Sequence, residues 1–230
     1  MALFAIGDLH LSFSSNKPMD IFGENWLDYE KKIEDNWRAV VKEDDIVLIP
    51  GDISWATKLP DAIMDLEWID KLPGKKILLR GNHDYWWASL SKMNNLYDRL
   101  NFLQNDSYSY KEYAICGSRG WNCPSEYGFT SDDEKIYKRE LLRLRLSLED
   151  AKKKGFKKFI VMMHYPPTND KLDSSGFTEI FEEYKVEKVI YGHLHTKASF
   201  NASVKGEHRG VYYSLVSSDY LDFEVSLVHK

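Results

Sequence analysis

The chain has 230 residues, of which 43% are hydrophobic and 29% charged, and its formal net charge is -5. This length is enough for one large α/β domain with a sizeable core, and the composition is that of an ordinary globular protein. The acidic balance argues against non-specific binding to nucleic acid or an acidic membrane surface. No stretch approaches the roughly 18 apolar residues that a membrane span needs, and the N-terminus lacks the basic region of a signal peptide. We therefore expect a single cytoplasmic domain over residues 1–230, with its two cysteines as free thiols.

Five short apolar runs predict buried strands, and each leads directly into polar residues. The runs are Ala2–Ile6, Ile46–Ile49, Lys76–Leu79, Phe159–Met163 and Val186–Tyr191. Amphipathic spacing predicts helices between them, over Trp26–Val41, Asp61–Lys71, Ser89–Leu100 and Ser131–Lys154. For the last helix we expect Ser131 or Asp132 as the N-cap and Gly155 as the stop.

Further strands are predicted outside this alternation. Tyr108–Cys116 is typical of a hairpin that turns at Lys111-Glu112, and Gly210–Ser217 and Phe223–Val228 predict two strands near the C-terminus. These strands indicate a second sheet. The alternating strands and helices predict a parallel or mixed sheet whose ligands bind beyond the carboxyl ends of its strands, so distant residues are expected to converge on one rim.

The polar residues at the strand ends form short motifs rich in metal-binding types. The motifs are Asp8-Leu9-His10, Gly51-Asp52, Gly81-Asn82-His83-Asp84, His164-Tyr165-Pro166-Pro167 and Gly192-His193-Leu194-His195. Neutral imidazole suits borderline transition metals, whereas carboxylate and amide oxygens suit harder ones. The two oxygens of Asp52 are able to bridge two cations. The mixture therefore predicts more than one metal ion, which is typical of sites that act on water and phosphate.

The order of these motifs resembles that of the calcineurin-like metallophosphoesterase superfamily. They run from Asp8 to His195 in the family's order. The resemblance implies an α/β fold, a four-layer αββα sandwich of two mixed β-sheets flanked by helices. It also implies two divalent metal ions, for which Mn, Fe, Zn, Co and Ni all remain open.

The resemblance also implies a role for each motif residue. One ion would be held by Asp8, His10, Asp52 and His195, and the other by Asp52, Asn82, His164 and His193. His83 would instead donate a hydrogen bond or a proton to the phosphate and leaving group, and Asp84 would orient it. The implied reaction is hydrolysis of a phosphomonoester or phosphodiester by attack of a metal-bridging hydroxide, without a phosphoenzyme.

Residues around the motifs leave alternatives open. Arg80 either reaches the substrate phosphate or braces a carboxylate of the site. Arg119 follows a predicted strand in a glycine-bounded loop, and we expect it to line the substrate pocket. The nearby aromatic residues either stack on the substrate or form the walls of the site; they are Trp55, Tyr85, Trp86, Trp87 and Tyr165.

The leading functional hypothesis is a phosphatase or phosphodiesterase that acts on a small molecule, because the chain is compact and acidic. A nuclease is disfavoured by the lack of a basic stripe. The motif Arg80-Gly81-Asn82-His83 resembles that of protein phosphatases, which keeps that alternative open. A hypothesis of another class is a non-catalytic, metal-bound scaffold for protein interaction, although no ligand position is missing from the pattern.

Overall fold

A computed structural model describes residues 1–15, 17–125 and 128–230. The chain forms two compact units. Unit 1 contains residues 1–102 and 216–230, and unit 2 contains residues 103–215. Within the described ranges, the structure contains no helix of the length and apolarity required to cross a membrane.

The strands and helices are numbered in chain order. The strands are β1 (Leu3–Ala5), β2 (Ile46–Pro50), β3 (Lys75–Leu79), β4 (Leu100–Leu103), β5 (Tyr108–Tyr110), β6 (Tyr113–Ser118), β7 (Lys158–Met163), β8 (Lys188–Tyr191), β9 (Gly206–His208), β10 (Val211–Leu215) and β11 (Ser226–His229). The α-helices are α1 (Tyr29–Val40), α2 (Leu59–Asp70), α3 (Leu90–Met93), α4 (Ser131–Lys153), α5 (Gly176–Tyr184) and α6 (Lys197–Asn201). Two short 3₁₀ helices cover Met19–Phe22 and Glu24–Trp26.

The sheet of unit 1 has the strand order β11-β1-β2-β3-β4. β1, β2 and β3 run parallel, whereas β11 is antiparallel to β1. Helix α1 buries Ile33 and Trp37, which lie one turn apart, in the same apolar cluster as Leu66 and Ile69 of α2. Since parallel strands end at the same edge, the segments that follow β1, β2 and β3 emerge side by side.

The sheet of unit 2 has the strand order β5-β6-β7-β8-β10-β9. Its four central strands run parallel, and the two edge strands are antiparallel to their neighbours. Helix α4 contributes Leu144 and Leu148, and α5 contributes Phe177 and Phe181, to a second apolar cluster. The predicted α/β fold with two mixed sheets flanked by helices is therefore confirmed.

Several local predictions are confirmed with small shifts. Each of the five apolar runs coincides with a strand to within two residues at either end, and β5 and β6 form the expected hairpin, with Lys111 at a φ of 48°. Helix α4 stops before Gly155, as expected, but its N-cap is Thr130 rather than Ser131 or Asp132. The Thr130 hydroxyl accepts from the N–H of Asp133, and the Asp133 carboxylate accepts from the N–H of Thr130, so both exposed main-chain donors are satisfied. Cys116 and Cys123 are free thiols, as expected.

Other predictions are wrong. The helix expected over Ser89–Leu100 is a single turn, and Leu100 already belongs to β4. The last strand was expected in the second sheet, but β11 pairs with β1 and extends the first. The strands that lead into the motifs are also divided, because β1, β2 and β3 lie in one sheet and β7 and β8 in the other. Helix α5 had no counterpart among the predicted elements.

Candidate metal centre

Three predicted ligands of unit 1 lie in two adjacent loops. We call residues 7–13 the first loop, residues 51–55 the second and residues 80–84 the third. The N–H of Asp8 donates to the Gly51 carbonyl at 3.0 Å, and that of His10 to the Asp52 carbonyl at 2.9 Å. All three predicted ligands are at least 97% buried. The His10 Nε2 atom lies 3.8 Å from Oδ2 of Asp52, and Asp8 and His10 offer ligand atoms within 4.8 Å of each other.

These ligands have an unusual main-chain conformation. Asp8, His10 and Asp52 have φ values of 55°, 45° and 50°, and His193 of unit 2 has a φ of 74°. Residues other than glycine rarely adopt this left-handed region, and such residues cluster at functional sites. Four of the seven predicted metal ligands therefore have the left-handed conformation, which the sequence motifs do not predict.

The third loop packs directly against Asp52. A Cβ atom on Gly81 would lie 2.2 Å from the main-chain nitrogen of Asp52, so glycine is required at this position. The N–H of His83 donates to Oδ1 of Asp52 at 2.8 Å. Asn82, the predicted ligand between them, is half-buried.

Asp84 ties the second and third loops together. Its fully buried carboxylate accepts hydrogen bonds from main-chain N–H groups at 2.7–3.2 Å and from the Trp86 indole at 2.9 Å; the main-chain donors belong to Gly81, Ile53 and Ser54. Burial, and next the charge of Asp52, raise the pKa of Asp84, and the main-chain donors oppose that shift. The Asp84 carboxylate thus holds the loop that carries His83, and its expected role in orienting His83 stays a prediction.

Trp55 packs on two imidazoles of unit 1, those of His10 and His83. Its ring stacks on His10 with centroids 4.8 Å apart and contacts His83 at 4.5 Å. Trp86 and Trp87 are buried in the apolar cluster, whereas Tyr85 is 65% exposed. Trp86 and Trp87 thus have a packing role in the core. Trp55 faces the candidate site through its contacts with His10 and His83.

A buried residue outside the motifs also supports the first two loops. Asp65 of α2 is fully buried and accepts hydrogen bonds from the Ser54 hydroxyl and from the N–H of Phe13 at 3.0 Å. Sequence reasoning missed this residue. The available signal was an acidic side chain within the apolar face of a predicted helix, between Ala62 and Ile69.

The first loop is held from its other side by residues near the C-terminus. The N–H of Gly7 donates to the Val216 carbonyl at 2.6 Å, and that of Ser218 to the Gly7 carbonyl at 3.0 Å. The Ser218 hydroxyl donates to the carbonyl of Asp8 itself at 2.8 Å. The position of Asp8 therefore depends on residues more than 200 positions away.

Unit 2 brings together two predicted histidine ligands at the ends of adjacent parallel strands. His164 follows β7 and is fully buried, and His193 follows β8. Nε2 of His164 lies 3.2 Å from Nδ1 of His193, and the N–H of Gly192 donates to the His164 carbonyl at 3.1 Å. His195 lies two residues further on, with an exposed side chain.

The two candidate substrate arginines lie in different units. The carbonyl of Arg119 accepts the N–H groups of His164 and Tyr165 at 3.1 and 2.9 Å. Its guanidinium lies over the Trp121 ring at 4.8 Å and 3.9 Å from the fully buried Glu140. Arg80 follows β3, and its buried Nε has no hydrogen-bond partner among the described residues. Arg119 is thus linked through its main chain to a predicted ligand.

The donor atoms in both units fit divalent transition metals. Unit 1 presents buried carboxylates beside an imidazole, and unit 2 presents two imidazole nitrogens that face each other. Buried carboxylates are costly unless they are paired with donors or metals, and mixed oxygen and nitrogen ligands suit Mn, Fe, Co, Ni or Zn. Both sets of residues therefore have the ligand chemistry that the motifs predict.

Three solved structures resemble this chain in fold. Phosphopantetheinyl hydrolase from Mycobacterium tuberculosis is 17% identical with a TM-score of 0.59, and covers 94% of this chain and 88% of its own. A protein from Thermus thermophilus is 10% identical with a TM-score of 0.58, and the match covers 99% of this chain and 97% of that protein. A protein of unknown function from Aquifex aeolicus is 16% identical with a TM-score of 0.51, and the match covers 98% of this chain and 94% of that protein. Identities this low show likeness of fold alone.

Sequence comparison is more specific about the family. The Gene 66 protein of Mycobacterium phage L5 is 34% identical over 77 residues, a match that spans 34% of this chain and only 37% of the relative. The family model for calcineurin-like phosphoesterases matches residues 1–197, well over half of the chain. The chain therefore belongs to the calcineurin-like phosphoesterase family, whose members are phosphoester hydrolases that generally bind divalent metals.

Proposed function

We propose that this chain is a dinuclear metal-dependent phosphoesterase acting on a small molecule. The observation that carries the proposal is the complete series of candidate metal ligands, each in a segment that follows a strand. One ion would be held by Asp8, His10, Asp52 and His195, and the other by Asp52, Asn82, His164 and His193. The family model begins in unit 1 and ends in unit 2, which supports treating residues 1–230 as one domain.

The ions would supply Lewis acidity, which lowers the pKa of water and offsets the charge of a phosphate. The protein would supply positioning. His83 would donate a hydrogen bond or a proton to the phosphate and leaving group. Its main-chain bond to Asp52 and its contact with Trp55 support that position, and Asp84 would act through the loop that carries His83.

The arginines would assist with phosphate binding. A guanidinium presents a planar pair of donors that matches two phosphate oxygens. The loop of Arg119 is bonded to the main chain of His164, and Arg80 immediately precedes the third loop. We propose both as substrate contacts, of which Arg119 has the better-supported position because Trp121 and Glu140 fix its guanidinium.

Turnover of model esters tests the proposal. Purified protein reconstituted with Mn²⁺ should hydrolyse p-nitrophenyl phosphate or bis-p-nitrophenyl phosphate, and the ratio of the two rates distinguishes a phosphatase from a phosphodiesterase. His83→Ala should lower kcat by roughly 10²–10⁴-fold, as for loss of a general acid, with metal content unchanged. His208→Ala, at an exposed histidine outside the motifs, is the matched control. Absence of turnover with every metal tried would favour the non-catalytic scaffold.

A further inference from the structure

A cleft of about 330 Å³ lies in unit 2 beside the predicted ligand His193. Its walls include Leu194, Phe129, Pro166, Thr168 and Asp170. An apolar cavity of roughly 150 Å³ is enough for benzene, so the cleft has room for a ring and several further atoms. A group bound there would lie beside the proposed metal ligand and contact these side chains.

The cleft combines an apolar wall with one hydroxyl that is not satisfied. Phe129, Pro166 and Leu194 supply apolar surface. The Thr168 Oγ1 atom is buried and has no hydrogen-bond partner among the described residues. The neighbouring Asn169 is already engaged, because its amide donates to Pro124 and Asp173. Since a buried hydroxyl without a partner is costly, a ligand that bonds to Thr168 would relieve that cost.

Among the charged side chains that line the cleft, the structure describes a carboxylate and no cation. Of the described residues that line it, none is a lysine or an arginine, and Asp170 contributes a carboxylate. Asp170 is exposed and forms no ion pair in the part of the chain that the structure describes. A positive group beside Asp170 would therefore be attracted by its carboxylate, whereas a second phosphate beside Asp170 would be repelled.

We propose that this cleft receives the alcohol part of the phosphoester and selects a partly apolar group that is uncharged or cationic. Thr168 bonds to a polar atom of that group, and Asp170 discriminates against anionic substituents. This proposal rests on the proposed function, because the proposed function is what assigns His193 to an ion that binds the phosphate. It narrows the substrate class to esters whose alcohol carries no further phosphate or carboxylate.

Binding of phosphate-free probes tests the charge selection without requiring turnover. Zn²⁺-loaded protein with labelled methyl groups would be titrated with phenyltrimethylammonium and with benzenesulfonate, and followed by NMR. Phenyltrimethylammonium should shift the methyl signals of Thr168 and Leu194, and it should bind about fivefold more tightly than benzenesulfonate, as expected for one solvated charge pair. Asp170→Asn should remove most of this preference. Asp132→Asn removes a charge from an exposed residue that does not line the cleft, and should preserve it.

A second pair of probes isolates the hydroxyl. Benzyl alcohol and toluene have similar shapes. Thr168→Val should weaken the binding of benzyl alcohol several-fold and leave the binding of toluene unchanged. Equal or tighter binding of benzenesulfonate, or shifts that avoid Thr168 and Leu194, would overturn the cleft assignment even if phosphoesters are hydrolysed. Conversely, binding as described without hydrolysis of any phosphoester would leave the cleft standing and would refute the proposed reaction.

Discussion

At the scale of single residues, the motifs predicted which side chains lie at strand ends, because short apolar runs followed by polar residues are a local signal. They did not predict the left-handed conformation of Asp8, His10 and Asp52, which comes from the packing of the loops. Nor did they predict Asp65, since its partners Phe13 and Ser54 are distant in sequence. Local patterns therefore identify candidate ligands, while long-range contacts determine how those ligands are held.

Asp52 is the residue on which both proposed ions depend. Asp52→Asn should weaken binding of both, because a neutral amide oxygen is a poorer ligand than a bridging carboxylate. We expect fewer than two metals per chain by elemental analysis and a loss of phosphoesterase activity. Asp44→Asn, at an exposed acid outside the motifs, is the control. Two tightly bound metals and an unchanged rate in Asp52→Asn would refute the assignment.

At the scale of elements, the apolar runs predicted the central strands well, and the amphipathic spacing predicted α1, α2 and α4. The helix expected over Ser89–Leu100 ends at Met93, and the last residue of the predicted helix, Leu100, belongs to β4 in the first sheet. Such pairing overrides helical spacing. The pairing of β11 with β1 could not be predicted either. The two strands lie at opposite ends of the sequence, and such pairing leaves no signal in local periodicity.

Helix α2 supports the loops through Asp65, so loss of the Asp65 carboxylate should affect both the stability of the protein and metal binding. Asp65→Ala leaves the N–H of Phe13 and the Ser54 hydroxyl without this acceptor, which should cost about 1–3 kcal/mol. Urea unfolding gives the stability, and metal titration should show weaker binding. Glu67→Ala on the exposed side of α2 should change little. If the two variants behave alike, Asp65 does not support the loops.

The junction of α2 and β3 contains a buried lysine whose titration should be visible in the stability. The Lys76 ammonium donates to the carbonyls of Asp70 and Leu72, and burial lowers its pKa from 10.5 to about 8. Between these values the unfolded chain binds more protons than the folded chain, so stability should rise as the pH increases from 8 to 10.5.

Substitution isolates this contribution. The stability of the wild type relative to Lys76→Met should increase by up to about 3 kcal/mol across that pH window and should be constant below pH 8. Urea unfolding at several pH values measures the difference. Lys75→Met, at an exposed neighbour, should show no such slope. A difference between wild type and Lys76→Met that does not vary with pH would contradict the lowered pKa.

At the scale of the whole molecule, the proposed ligands come from both units, so metal binding should stabilise both. A ligand at about 100 times its Kd adds about 2.7 kcal/mol to the stability of the folded state. Adding Mn²⁺ should therefore raise the Tm and slow hydrogen exchange in β2 and in β7. Asp52→Asn should reduce both effects. Slower exchange in only one of the two strands would mean that the ions are held within a single unit.

The bonds from residues 216–218 to the first loop have a consequence for biosynthesis. Unit 2 is continuous in sequence, so all of its strands are available to a nascent chain before β11 has been made. The first sheet, by contrast, remains incomplete until β11 has been made, and the carbonyl of Asp8 lacks the Ser218 hydroxyl until residue 218 has left the ribosome. Tight binding of the proposed ions should thus follow the synthesis of residues 216–218, which limits the time during which a partly folded chain could trap the wrong ion.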